Sequence, residues 1–94
     1  MNFGEAISAL RMGKRVAREG WNGKGMFIYL VPEASYPAQR NTNGTMIGMF
    51  PDDMVPYREY LAMKTANNDV VPWVASQTDI LAYDWLEVME TTNG

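Results

Sequence analysis

Phe3, Ala6, Ile7 and Leu10 recur at the spacing of one helical face, so the chain opens on a helix with a single apolar stripe. Asn2 stands just ahead of that stripe and Glu5 three residues later, a pair able to cap the first turn reciprocally. Gly13 then offers the left-handed residue that ends a helix, and the predicted span is Phe3 to Met12. From Lys14 to Arg18 the period changes to two, which predicts a short strand with Val16 on one face and Arg15 and Ala17 on the other. Glu19 to Gly25 is turn chemistry, and Met26 to Val31 reads as a buried strand closing at Pro32. The pair forms a hairpin with Trp21 near its tip.

Between Pro32 and Pro56 the pattern breaks. Four prolines, with Asn41, Asn43, Gly44 and Gly48, predict a long connection carrying at most a short element around Met46 to Phe50. Strand character returns from Tyr57 to Thr65, Ala66 to Asp69 makes a turn, and Val70 to Ala75 runs back antiparallel with Pro72 at an edge. Ser76 and Asp79 repeat the capping signature and open a short helix to about Ala82. Asp84 to Met89 supplies the last strand. The expected fold class is α+β: an N-terminal helix packed on an antiparallel sheet of four or five strands, with a short second helix before the last strand. Residues 1–94 are read as one ligand-binding domain, since 94 residues furnish apolar side chains for one core.

Composition removes several functions. With no cysteine and no histidine, the usual zinc sites, thiolate nucleophiles and imidazole bases are excluded, so no cofactor is expected and binding is favoured over catalysis. The chain is 47% hydrophobic, yet no apolar run approaches the roughly 20 residues that cross a bilayer. The first residues lack a basic and apolar leader, which predicts a cytoplasmic protein. A net charge of −3 disfavours duplex nucleic acid, whose binders rely on phosphate neutralisation. A small anion held by one or two arginines remains compatible with that charge.

Candidate chemistry gathers at the aromatic and polar turns. Trp21 sits beside Asn22 in a turn where periodicity does not require a large ring, so stacking on a ligand competes with packing there, and its removal is expected to spare stability. For Trp73 both roles stay open, whereas Trp85, flanked by Leu86 and Val88, reads as core. A stacked base is worth about 1–3 kcal/mol in nucleic-acid binders. Ser76, Gln77, Thr78 and Asp79 put free amides, two hydroxyls and a side-chain amide at a helix start, suited to a phosphate or a hydroxyl-rich ligand, with ordinary capping as the alternative. Asp79 suits ribose hydroxyls better than phosphate. Among the cations, Arg18 and Arg58 lie at strand ends near aromatic-rich turns and are the preferred phosphate partners. Arg15, Lys24, Arg40 and Lys64 could also meet phosphate, with solvated surface charge as the commoner role.

The segments Asn2 to Ala6, Gly13 to Met26, Met63 to Ala66 and Val71 to Asp79 together resemble the second family of phage Thoeris anti-defence proteins. The likeness covers both ends of the chain and leaves Glu33 to Asp53 aside. It implies a sponge that sequesters a cyclic ADP-ribose-type signal made from NAD without degrading it, in the cytoplasm of an infected bacterium. It further implies a homotetramer with pockets between subunits. Trp21, Trp73, Asp79, Ser76, Thr78, Arg18 and Arg58 would then supply the ring, acceptors and donors that such a ligand needs. The tail of Thr91, Thr92 and Asn93 is expected to dock on a partner subunit or cap a pocket. The competing reading is a protein–protein interaction module that inhibits a host defence enzyme directly.

Overall fold

In the computed structural model, which describes residues 1–21 and 24–89, the first helix α1 spans Phe3–Arg11. Its start is closed by both halves of a capping box: the Asn2 side chain accepts from the Glu5 amide at 2.8 Å, and the Glu5 carboxylate accepts from the Asn2 amide at 2.9 Å. Gly13 lies at φ +83°, the left-handed conformation its position after the helix requires. Strand β1 (Arg15–Arg18) and strand β2 (Phe27–Val31) pair antiparallel, with Val16 opposite Ile28.

Two compact units divide the chain, residues 1–30 with 61–94, and residues 31–60. The second unit corrects the expectation of a long irregular connection. Strand β3 (Ala34–Pro37) pairs with strand β4 (Met54–Tyr57), and the four-residue helix α2 (Ala38–Asn41) follows β3 directly. Its prolines are compatible with these strands because a two-stranded sheet is all edge, where a missing amide goes unfelt. Ala38 and Val55 are buried among its described residues, and the Tyr36 and Tyr57 rings lie 5.8 Å apart. Around Met46 to Phe50, where a short element was anticipated, the chain makes turns.

The larger unit is built on a five-stranded antiparallel sheet in the order β6-β5-β2-β1-β7. Strand β5 covers Tyr60–Lys64 and β6 Val70–Pro72, so the run expected from Tyr57 to Thr65 is divided between β4 and β5. Pro72 lies on an outer strand, as anticipated. The last strand β7 (Trp85–Val88) pairs with β1, placing Arg15 opposite Val88 and Arg18 opposite Trp85. Ala6, Ala9 and Leu10 of α1 close on Val16, Ile28 and Trp85 to form the core. Each of those three sheet residues is at most 1% exposed. Burying a large apolar side chain contributes about 1.5–3 kcal/mol, so this cluster fixes α1 on the sheet.

Candidate functional site

The third helix α3 runs Gln77–Ile80 and stops two residues earlier than expected. Ser76 caps it: the hydroxyl accepts from the Asp79 amide at 3.1 Å, and the Asp79 carboxylate accepts from the Ser76 amide at 2.9 Å and its hydroxyl at 2.8 Å. Thr78 Oγ1 lies 2.9 Å from the Ser76 hydroxyl, while Gln77 and Thr78 themselves are exposed. The polar groups picked out in the sequence are thus together, and most are engaged with one another.

Arg18 is engaged within the protein itself. Placed at the end of β1, its Nη1 donates to Asp79 at 3.0 Å and its Nε to Asp84 at 2.9 Å. The guanidinium already has two carboxylate partners, so a phosphate would have to compete with both. Hydrogen bonds to Asp84 and then Asp79 raise the pKa of Arg18. Burial acts to raise the Asp79 carboxyl, but the bonds from Ser76 and Arg18 outweigh it and hold the group below the usual carboxylate range. Asp84 is lowered chiefly by its bond from Arg18. The same triad locks the aromatic residues, since the Trp85 indole N–H donates to the Asp79 carbonyl at 2.8 Å.

Trp21, Trp73 and Trp85 form one cluster. Trp21 meets Trp73 at 6.4 Å and Trp85 at 5.5 Å between centroids, both edge to face, and Trp73 meets Trp85 at 6.0 Å. Phe3 of α1 completes the group at 5.4 Å from Trp85. Trp21 ends a 3-10 turn (Glu19–Trp21) and is half-buried against the core, so the packing role left open in the sequence is realised while part of the ring stays exposed. Trp73 follows β6 rather than lying within it, its amide donating to the Leu61 carbonyl at 2.9 Å. Trp85 is the buried anchor that the sequence indicated. Edge-to-face geometry suits rings that pack with one another, and it leaves the half-buried Trp21 and Trp73 as the two with surface to offer.

A recess of about 640 Å³ opens beside Trp21, lined also by Arg18, Glu19, Met26, Phe27 and Leu86. That volume falls within the range of small-ligand sites. Phe27 and Met26 were read only as strand residues; the signal for Phe27 was its alternation with the buried Ile28. Arg58 is exposed between β4 and β5, in the other unit. Asn22 and Asn93, with Thr91 and Thr92, lie outside the described residues. No helix among the described residues is long and apolar enough to cross a membrane.

With this arrangement in view, comparison with known proteins supplies the family. A model of the Thoeris anti-defence 2-like domain matches residues 1–88. The chain belongs to that family. Thoeris anti-defence 2 of Bacillus phage SP01 is 42% identical over 85 residues, covering 90% of this chain and 91% of the relative. Membership in the Thoeris anti-defence 2-like family supports an anti-defence role of the phage type. The match includes every described candidate residue, Arg58 among them.

Proposed function

We propose that the protein is a sponge: it binds a cyclic ADP-ribose-type signal derived from NAD, holds it without degrading it, and so keeps a Thoeris effector from being activated. The observation that carries this reading is the half-buried Trp21 at the edge of a ligand-sized recess, in a chain of the Thoeris anti-defence 2-like family. Trp21 and Trp73 offer faces to an adenine ring, and the hydroxyls of Ser76 and Thr78 offer partners to ribose.

Sequestration demands slow release, which a pocket closed by a second subunit provides through fuller burial. The reading includes assembly as a homotetramer, and Val74, Leu81 and Tyr83, 88%, 72% and 83% exposed although apolar and flanking α3, offer a neighbouring subunit surface to cover. The same exposed residues favour a second reading, direct inhibition of a defence enzyme by a protein–protein contact. Incubating the purified protein with the signal, removing the protein by filtration, then heating it to release what it holds separates the two. Depletion from the filtrate with intact signal recovered on heating is the expected result. Recovery of a degraded product would overturn the sponge in favour of an enzyme, and an undepleted filtrate would favour the interaction module.

A further inference from the structure

Side chains alternate across the large sheet. Val16, Ile28 and Trp85 turn toward α1, so their neighbours Arg15, Phe27 and Val88 turn to the opposite face. Leu61 and Met63 pack against the core, which sends Lys64 of β5 to that opposite face as well. There the two cations share one ring: Arg15 Cζ is 5.2 Å from the Phe27 centroid and Lys64 Nζ is 6.0 Å from it.

What separates these cations from their neighbours is their lack of counter-charge. Lys14 pairs with Glu87 at 3.5 Å, and Arg18 has Asp79 and Asp84. Lys64 donates to the backbone carbonyls of Gly25 at 3.0 Å and Thr65 at 3.4 Å, neither of them charged. Among the described residues neither Arg15 nor Lys64 has a carboxylate partner, and Arg15 has only the Phe27 ring. Two such charges on one ring repel each other, and among the described residues no carboxylate is paired with either. Two recesses of about 650 and 640 Å³ open at this spot, both lined by Arg15, Phe27 and Lys64. Among the described residues, Glu87 at the first and Glu19 at the second are their acidic lining residues, and Glu87 is held by Lys14.

We infer that Arg15 and Lys64, bracketing Phe27, form a binding site for a small phosphate-bearing anion, at the recess whose edge Trp21 also lines and apart from the wall made by Trp73 and Ser76 to Asp79. The guanidinium contributes a fork of donors that fits two phosphate oxygens, and the ammonium adds a point charge. Phe27 and Val88 give the pair an apolar floor, which strengthens the attraction by lowering the local dielectric. The site takes a small ligand rather than a polyanion, because the negative whole-chain charge opposes a long phosphate backbone. It shares the Trp21 recess with the sponge reading but is argued from the two cations and their ring alone.

Titration calorimetry at low ionic strength with inorganic pyrophosphate and, separately, with ADP tests the site. Pyrophosphate is expected to bind wild-type protein and to weaken with added salt. Arg15→Gln and Lys64→Gln are each expected to weaken it by about tenfold or more, Arg15→Lys by less, and Arg40→Gln not at all. Tighter binding of ADP would identify a nucleotide as the fuller ligand, and equal binding would identify the phosphates alone; both support the site. Absence of binding by either probe, or equal weakening in Arg40→Gln, overturns it. Should a variant fail to fold, NMR of wild-type protein decides: pyrophosphate must shift the Phe27 ring resonances, and unmoved resonances would refute the assignment. Signal that stays in the filtrate while pyrophosphate still binds would count against the sponge alone.

Discussion

Asp79 accepts a 3.0 Å hydrogen bond from Arg18 with one carboxylate oxygen and holds the Ser76 end of α3 with the other. A single ionised group thereby ties the end of β1 to the start of a helix far along the chain. Asp84 adds a second anchor to the same guanidinium.

Acid should loosen this tie. Asp79 and Asp84 both titrate below the ordinary carboxylate value in the folded protein. Groups lowered on folding stabilise above the unfolded value, about 3.9 for Asp, and that contribution is lost as pH falls through the folded value. The urea midpoint is therefore expected to stay level, as far as these groups decide it, from neutrality down to about pH 5 and to fall below about pH 4. In Arg18→Gln the acid limb should be shallower, since the partner that lowers both carboxyls is gone. An unchanged limb would mean that other carboxylates govern acid unfolding.

Ser76→Ala removes the hydroxyl that accepts from the Asp79 amide. Losing such a cap costs about 1 kcal/mol, or about 4–8 °C in the thermal midpoint of a domain this size. Calorimetric scanning checks the shift. Ligand depletion measured beside it shows whether Ser76 also touches ligand.

For the tryptophans the expected costs differ. Trp85→Ala empties the core and orphans the indole bond to Asp79, with a loss of about 3–5 kcal/mol. Trp21 is half-buried, so Trp21→Ala should cost about half as much, read from chemical denaturation followed by far-UV circular dichroism. A midpoint equal to wild type would leave ligand contact, the other role open to Trp21 in the sequence, as the reason for the ring.

The amino terminus offers another test. The Met1 ammonium donates to the Trp85 carbonyl at 2.6 Å and the Tyr83 carbonyl at 3.4 Å, and the Trp85 amide donates back to Met1 at 3.1 Å. Fusing a Gly-Ser extension ahead of Met1 replaces the charged donor by a single amide. Stability should fall by about 1–2 kcal/mol, with faster hydrogen exchange at the Trp85 amide as the local readout.

Both capping boxes, the α1 stripe and the buried role of Trp85 were legible because each rests on residues close in sequence or on a clear period. The β3–β4 pair was not, for Pro37 and Pro56 carry the signs of a loop and only their placement in an all-edge sheet makes them acceptable. The fate of Arg18 was hidden for another reason: its partners lie 61 and 66 positions away, and no local pattern announces a contact across that distance. Arg15 and Lys64 stand in the sequence among six cations that could meet phosphate, with nothing to set them apart from solvated surface charges. Only pairing of the strands reveals that they share a ring while their neighbours are neutralised.

The order of the strands has a kinetic meaning. β1 cannot be completed until β7 arrives, and α1 lacks its largest partner until Trp85 is in place, so the native core closes only after nearly the whole chain is available. Contacts of such long sequence separation slow folding. During synthesis the apolar stripe of α1 waits, with the β1–β2 hairpin as its first cover, until the final strand zips the sheet shut from the far end of the polypeptide.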